Sequence, residues 1–293
     1  MRWPIRLLAV WAALLLPCAS AAAPSAHGPI TAWGDSLTLG WGVPQGQDYP
    51  TVASLLFSPP RTIENQGIGG QTSTQIAARM GALPVAATLD GGAVPADGPA
   101  RVGALTINVV FDSAYGRAKV DGTLCGVQGF LETDPTGVTF IRSSPGVATP
   151  CPPASPFVPD ADATARSGTA WLWLGRNGAD QGHTIEGDVE AAVAWLGHER
   201  YLVASVLSAG TDSDAQLSEI AAINLRLRAA HGSHYVDVLG DLLAAGNGST
   251  EDAADIARGI VPRSLRLDFV HLTPRGNEIV ARALVAATER LGI

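Results

Sequence analysis

The run Gly34-Asp35-Ser36-Leu37-Thr38 directly follows a short apolar stretch, residues 29–33 (Pro-Ile-Thr-Ala-Trp), near the start of the chain. An apolar stretch that stops at a glycine predicts a buried strand that runs into a turn. In a parallel sheet, ligands bind beyond the carboxyl ends of the strands. A serine hydroxyl becomes a strong nucleophile only when a neighbouring base removes its proton. Ser36 is therefore the first candidate for a reactive group, and a histidine is the base to look for.

Apolar runs and helical spacing alternate along most of the remaining chain. The strand candidates are residues 61–65, 170–174, 201–207 and 235–238, and the helix candidates are residues 72–80, residues 184–196 with Thr184 as cap, residues 213–232 with Ser213 as cap, and the segment that Thr273-Pro274 opens. Continuous apolar strands that alternate with helices are typical of a parallel sheet covered on both faces. The sequence therefore predicts an α/β fold with a central parallel sheet.

Residues 83–167 depart from this pattern. They contain 10 of the 20 prolines and 10 of the 33 glycines, and they have no helical periodicity. Alternating residues from Leu105 to Phe111 and the run Val138–Ile141 predict two half-buried strands, and Pro152–Pro159 is typical of a stiff return linker. We predict that residues 83–167 form an inserted β-rich module. The α/β domain would then be discontinuous, formed by residues 28–82 and 168–293.

Residues 1–23 have the pattern of a secretory signal peptide. Two arginines precede an apolar run, Leu7–Leu16, and an alanine-rich stretch follows it. The run is too short to span a bilayer, and an uncleaved anchor is the alternative interpretation. We predict cleavage after Ala21 or Ala23, and a secreted or periplasmic product that has no stable membrane association.

Charge and cysteine content narrow the partners and the compartment. The formal net charge is −8, and it falls to −10 when residues 1–23 are removed, because that segment holds two arginines and no acidic residue. An acidic chain lacks the general basic surface that nucleic acids require. Cys125 and Cys151 remain after cleavage, and an even pair in an oxidising compartment predicts a disulfide. Two free buried thiols are the alternative, and the sequence leaves the oligomeric state open.

One histidine has a carboxylate in position to orient it. His271 follows Asp268 by three residues just before a predicted helix, so a carboxylate oxygen can reach Nδ1 while Nε2 faces Ser36. The other histidines of the mature chain are His27, His183, His198, His231 and His234. An oxyanion that develops on a substrate needs preorganised N–H donors. The candidates are the backbone N–H groups of Ser36 and Gly70 and the side-chain amide of Asn177.

Four ordered blocks of the sequence resemble the SGNH (GDSL-type) hydrolase family. The blocks are residues 34–38, residues 65–72 (Asn-Gln-Gly-Ile-Gly-Gly-Gln-Thr), residues 175–177 (Gly-Arg-Asn) and residues 268–271 (Asp-Phe-Val-His). The resemblance covers residues 29–82 and 168–293 and implies a flavodoxin-like three-layer sandwich. It also implies hydrolysis of carboxylic esters through an acyl-serine intermediate, without metal or cofactor. One departure is Gly178, which stands where the family's third block usually continues with aspartate.

The resemblance leaves the substrate open, because the family includes lipases, lysophospholipases, thioesterases and acetylesterases that act on carbohydrates. The β-rich insertion favours a polymer, so we expect short acyl or O-acetyl groups on a glycan. A lipase or lysophospholipase is one alternative. A glycan- or wall-binding protein, whose insertion works on an inactive hydrolase scaffold, is another. Trp41 and Asp35 lie close to Ser36 in the sequence, and we predict that both contact the substrate; a core role is the alternative for Trp41.

Overall fold

A computed structural model describes residues 28–110, 112–113, 116–161, 166–179 and 182–293. The predicted signal peptide, with its cleavage sites, lies outside the described residues. In chain order the strands are β1 Ile30–Gly34, β2 Ile63–Gly67, β3 Val85–Leu89, β4 Ala93–Val94, β5 Pro99–Leu105, β6 Asp112–Ser113, β7 Gly116–Arg117, β8 Lys119–Leu124, β9 Val127–Asp134, β10 Gly137–Arg142, β11 Thr149–Pro150, β12 Ser155–Pro159, β13 Thr169–Trp173, β14 Tyr201–Ala204 and β15 Tyr235–Val236. The α-helices are α1 Ser36–Leu39, α2 Tyr49–Leu56, α3 Ser73–Met80, α4 Gly182–Leu196, α5 Asp214–His231, α6 Val238–Ala244, α7 Thr250–Ala257 and α8 Pro274–Leu291.

A five-stranded parallel sheet forms the centre of the α/β part, in the order β15-β14-β13-β1-β2. Every residue of β1, β13 and β14 is buried. Side chains of α2 and α8 pack on one face of the sheet, and side chains of α3, α4 and α5 pack on the other. Burial of one large aliphatic side chain contributes about 1.5–3 kcal/mol, so the two apolar layers hold the strands in place. The predicted three-layer sandwich is confirmed.

The β-rich segment folds into a closed six-stranded barrel, in the order β10-β5-β3-β12-β8-β9. Its strand pairs are antiparallel, and its interior is filled by Leu124, Leu131, Phe140 and Phe157. Closure leaves the barrel without an open sheet edge. The structure contains the predicted disulfide between Cys125 and Cys151, whose Cα atoms are 5.5 Å apart.

Two predictions inside the insertion are wrong. The strand expected from Leu105 to Phe111 ends at Leu105, and residues 106–110 form an irregular segment instead; Phe111 lies outside the described residues. Val109 and Val110 are completely buried because this segment packs between the barrel and the α/β part. Pro152–Pro159 is not a linker, because Ser155–Pro159 is a barrel strand that pairs with β3 and β8.

Two of the three predicted helix caps are confirmed, whereas the third cap and several element ends are wrong. Ser213 forms a capping box with Gln216, and Thr273 caps α8 with Pro274 at its first position, as expected. Thr184 caps nothing, because α4 already begins at Gly182. The strand predicted over residues 201–207 ends at Ala204, and the one predicted over residues 235–238 ends at Val236 because Asp237 caps α6.

Candidate active site

Ser36 is the first residue of α1, immediately beyond the carboxyl end of β1. Asp35 caps this helix, since its Oδ1 accepts the N–H of Leu37 at 2.9 Å. The turn needs a glycine at position 34, because a Cβ there would lie 2.0 Å from Oγ1 of Thr38. Ser36 is only 4% exposed. The sheet, the glycine and the aspartate cap thus fix one position for the serine hydroxyl.

His271 connects Ser36 to Asp268. Its Nε2 lies 2.9 Å from Oγ of Ser36, and its Nδ1 lies 2.7 Å from Oδ2 of Asp268. An ionised carboxylate can only accept hydrogen bonds, so Nδ1 carries the proton and Nε2 accepts from the serine hydroxyl. The structure therefore brings together the three residues that the sequence nominated as nucleophile, base and orienting acid.

The Asp268 carboxylate is held by its own loop. Its Oδ1 accepts the backbone N–H groups of Val270 and His271, both at 2.8 Å. Partial burial by itself raises the pKa of Asp268, but the hydrogen bonds from the His271 side chain and from these two N–H groups outweigh it and leave the pKa below its usual value. Asp268 is therefore a stable negative charge against the imidazole.

The two loops that carry Gly70 and Asn177 both contact the chain just before Ser36: the Ile68 N–H donates to the Gly34 carbonyl at 3.1 Å, and Asn177 contacts Asp35. Gly70 follows β2 in a loop, with φ +80°. Asn177 pairs with Thr72 in a parallel β-bridge. The Asn177 Nδ2 donates to the backbone carbonyl of Gln71 at 3.0 Å and to Oδ2 of Asp35 at 3.1 Å. Both protons of the amide therefore have an acceptor in this structure.

Asp35 does not fit the predicted role in substrate binding. It is 1% exposed, and its two carboxylate oxygens accept from Leu37 N–H and from Asn177 Nδ2. Burial raises its pKa to about 6, against the opposing effects of the Leu37 N–H and of the charges of Arg176 and His271. Asp35 is an internal cap and a support of Asn177, rather than a residue that faces a ligand.

The Asn177 loop has a support that sequence reasoning missed. Arg176 makes a bidentate ion pair with the buried Asp212, at 2.8 Å for both contacts, and also donates to the carbonyl of Leu207 at 2.7 Å. Gly178, the departure from the family pattern, has φ +83°. Glycine adopts this left-handed conformation without the steric cost that a Cβ brings. No local sequence signal pairs Arg176 with Asp212, since 36 positions separate them.

Trp41 lies beside His271. Its ring centroid is 6.3 Å from that of His271, and the side chain is 40% exposed. Two further exposed apolar residues, Leu267 and Phe269, flank the His271 loop at 41% and 64% exposure. The position of Trp41 is compatible with the predicted contact to substrate. Leu267 and Phe269 were not anticipated, although both directly adjoin Asp268 in the sequence.

A cavity of about 220 Å³ lies between the β2 edge of the sheet and the barrel. Thr31, Trp33 and Arg79 line it on the sheet side, and Lys119 and Asp121 line it on the barrel side. None of Ser36, His271 and Asp268 lines this cavity.

Within the described ranges, no helix is long and apolar enough to cross a membrane.

No family model matches the sequence. The tail spike protein of Salmonella phage epsilon15 is 25% identical over 249 residues, which cover 75% of this chain and 23% of that protein. The chain thus spans about a quarter of the length of this relative.

Two solved structures resemble nearly the whole chain. One is a member of the lipolytic protein G-D-S-L family from Veillonella parvula, with a TM-score of 0.51, 14% identity, and coverage of 89% of this chain and 98% of that one. The other is the lipase/acylhydrolase from Enterococcus faecalis, with a TM-score of 0.51, 13% identity, and coverage of 90% and 96%. The chain therefore has the SGNH (GDSL-type) hydrolase fold, with Ser36, His271 and Asp268 joined at the carboxyl end of its parallel sheet.

Proposed function

We propose that this protein is an exported serine hydrolase that cleaves carboxylic esters through an acyl-serine intermediate. The observation that carries the proposal is the continuous contact from Ser36 Oγ through His271 to the Asp268 carboxylate, over 2.9 and 2.7 Å. A hydroxyl, an imidazole and a carboxylate in this order make up the hydrogen-bonded chain of serine hydrolases, whatever fold supports it.

The geometry supports a two-step reaction. Ser36 Oγ attacks the ester carbonyl while His271 Nε2 accepts its proton, and the oxyanion takes N–H donors from Ser36, Gly70 and Asn177. His271 then returns the proton to the leaving alcohol, which leaves an acyl group on Ser36. Water attacks this acyl group, with His271 again accepting and then returning a proton, and the carboxylic acid departs. Asp268 keeps the imidazole in the required tautomer and stabilises its positive charge.

The test is covalent labelling with a fluorophosphonate probe, together with hydrolysis of p-nitrophenyl acetate. We expect the wild type to be labelled at Ser36, and Ser36→Ala to lose both labelling and turnover. Ser218→Ala is the control, because the Ser218 hydroxyl only donates to the Asp214 carbonyl on the surface of α5. Labelling of Ser36→Ala at the wild-type rate would refute the assignment of the nucleophile.

We further propose short acyl groups on a glycan as the substrate. The cavity beside the barrel supports this, because Lys119 and Asp121 in its lining suit a hydroxyl-rich ligand better than an alkyl chain; since no triad residue lines it, it would hold glycan units beyond the one that carries the ester. A lipase or lysophospholipase is the second candidate, supported by the exposed Trp41, Leu267 and Phe269 around the site. Rates on p-nitrophenyl esters from acetate to laurate discriminate between them. A maximum at acetate or butyrate supports the first, and a rate that rises to laurate supports the second.

Export is the part of the proposal that rests on residues 1–23. Amino-terminal sequencing of the protein recovered outside the cytoplasm should begin at residue 22 or 24. A mature protein that retains its first residues would contradict this.

A further inference from the structure

We propose that Gln71 is a positioning residue through which the inserted barrel holds the oxyanion donor Asn177 in place. The inference rests on the proposed ester hydrolysis and adds to it a role for the insertion. Gln71 directly follows Gly70, and its side chain is completely buried. Three of its hydrogen bonds connect it to three different parts of the molecule.

The first contact leads to the insertion. Gln71 Nε2 donates to the backbone carbonyl of Val109 at 2.8 Å. Val109 belongs to the irregular segment 106–110, and both Val109 and Val110 are completely buried. The segment is also fixed to the barrel wall, because the Thr133 hydroxyl of β9 donates to the Val110 carbonyl. The barrel therefore presents a rigid acceptor to Gln71.

The second contact leads to Gly34, in the turn that carries Ser36. Gln71 Oε1 accepts from Nε of Arg79 at 2.9 Å. Arg79 is buried, and it donates onward to the carbonyls of Gln66 at 2.8 Å and of Gly34 at 3.4 Å. The partners of this guanidinium among the described residues are neutral, and burial lowers its pKa to about 9. A buried guanidinium that loses one of its hydrogen bonds is left with an unsatisfied charge, which costs free energy. Arg79 therefore holds the side-chain amide of Gln71 in one orientation.

The third contact leads to the oxyanion site. The backbone carbonyl of Gln71 accepts from Nδ2 of Asn177 at 3.0 Å. With the side chain of Gln71 held on both ends, this carbonyl has a fixed position, and so has the amide that donates to it. A shift of a preorganised donor weakens the stabilisation of the transition state more than it weakens binding of the ground state. Displacement of Gln71 should therefore reduce kcat and leave KM nearly unchanged.

Gln71→Glu isolates the link to the barrel. The glutamate keeps an acceptor for Arg79 and even supplies the missing counter-charge, so the variant should fold, but it replaces the donor to Val109 by a second acceptor. The matched control is Gln75→Glu. Gln75 Nε2 donates to the neighbouring carbonyl of Asn108 at 2.8 Å, and its Oε1 belongs to the capping box of α3, which a glutamate preserves. Each variant loses one hydrogen bond to segment 106–110. Only in Gln71→Glu does the altered residue also contact Asn177.

We expect Gln71→Glu to lower kcat on p-nitrophenyl acetate about tenfold to a hundredfold, below the loss of about 10²–10³ for removal of a whole donor, with KM within twofold. Gln75→Glu should stay within threefold of the wild-type kcat. In an Asn177→Ala background, Gln71→Glu should have little further effect, because the residue acts through Asn177. A wild-type kcat in Gln71→Glu, an equal loss in Gln75→Glu, or the full loss in the Asn177→Ala background would each overturn the proposal.

A readout that needs no turnover separates this proposal from the proposed function. The side-chain amide of Asn177 can be followed in ¹⁵N–¹H spectra of the full-length mature protein. Its resonance should shift or broaden in Gln71→Glu and stay in place in Gln75→Glu, whether or not the wild type hydrolyses esters. An unchanged Asn177 amide in Gln71→Glu would refute the positioning role even in an active enzyme. An inactive, unlabelled wild type with the shifted amide would refute only the hydrolase proposal.

Discussion

The His271 imidazole lies 2.9 Å from the Ser36 hydroxyl, although 235 positions separate the two residues in the chain. The contact joins the first turn after β1 to the loop before α8, so it exists only when both ends of the α/β part pack on the same sheet. Asp268, in contrast, reaches His271 across three positions and within one loop. The contact between Ser36 and His271 therefore depends on the whole fold, while the contact between Asp268 and His271 depends on a local turn.

Asp268→Asn tests the orienting role of the carboxylate. The asparagine oxygen can still accept the N–H groups of Val270 and His271, so the loop should keep its shape, but its NH₂ group favours the wrong tautomer of the imidazole. We expect kcat/KM on p-nitrophenyl acetate to fall by about 10³–10⁴. A loss below tenfold would mean that His271 is oriented by another group.

The lowered pKa of Asp268 also determines the pH range over which its protonation can affect stability and activity. The hydrogen bonds to its ionised form stabilise the protein above the usual aspartate pKa, near 4, and are lost as the pH falls through the lowered value. Protonation of Asp268 therefore cannot produce a decline of activity between pH 5 and pH 7. In Asp268→Glu, which keeps the charge, we expect the acid limb of the kcat/KM profile to have the same pKa as in the wild type. A shifted acid limb would mean that the carboxylate at position 268 titrates in this range.

Asp35 makes the opposite contribution to stability. Its pKa is about 6 in the folded protein and near 3.8 in the unfolded chain, so the folded state holds the proton more tightly. The contribution of Asp35 to the free energy of unfolding is therefore greatest below pH 4 and declines as the pH rises to 6, by about 3 kcal/mol for a shift of two pKa units. Asp35→Asn does not titrate.

Urea unfolding of the wild type and of Asp35→Asn from pH 4 to pH 7 measures this effect. The stability of the variant relative to the wild type should rise with pH over this interval and level off above pH 7. A difference in stability that does not change with pH would show that Asp35 is ionised throughout in the folded protein. The variant also loses an acceptor for Asn177, so kcat should fall at every pH.

Trp41→Ala tests the contact between this exposed ring and the substrate. A ring that covers bound substrate contributes on the order of 1–2 kcal/mol, so we expect KM for p-nitrophenyl butyrate to rise about fivefold to thirtyfold. The proton transfer from Ser36 to His271 is left intact, and kcat should stay within about threefold. Leu225→Ala is the control, because Leu225 is also exposed, at 68%, but lies on α5. An unchanged KM in Trp41→Ala would remove Trp41 from the binding site.

The disulfide between Cys125 and Cys151 should stabilise the barrel without taking part in catalysis. It closes a loop with a sequence separation of 26, which corresponds to about 3.5 kcal/mol in the chain-entropy model. Cys125→Ser with Cys151→Ser should lower the Tm by several degrees and leave kcat at 25 °C near the wild-type value. Non-reducing mass spectrometry of the purified protein should show the bridge, and two free thiols would contradict it.

The insertion shows where sequence reasoning failed and why. The alternation from Leu105 to Val109 is that of a half-buried strand, but both Val109 and its neighbour Val110 are buried, because this segment lies between two packed bodies. Its backbone carbonyls accept from the side chains of Gln71, Gln75 and Thr133 instead of from the backbone of a neighbouring strand. A period-2 pattern records which residues are apolar and cannot tell which surface covers them.

The predicted contact between Asp35 and substrate is wrong for a related reason. Its neighbour Ser36 is a candidate for catalysis, and proximity in the sequence suggested a shared ligand. The capping bond to Leu37 is a local feature, but the contact with Asn177 spans 142 positions and could be found only in the folded chain.

The sequence by itself determined the strand–turn–helix around Ser36, the caps at Ser213 and Thr273, the Asp268–His271 pair and the disulfide partners, because each depends on residues a few positions apart or on the number of cysteines. Only the tertiary structure decided that Ser36 meets His271, that Asp35 is internal, that Arg176 pairs with Asp212, and that the barrel contacts Gln71. Local backbone preferences act within one or two turns of the chain, whereas these contacts are created by the burial of both faces of one sheet, which brings distant segments to a common edge.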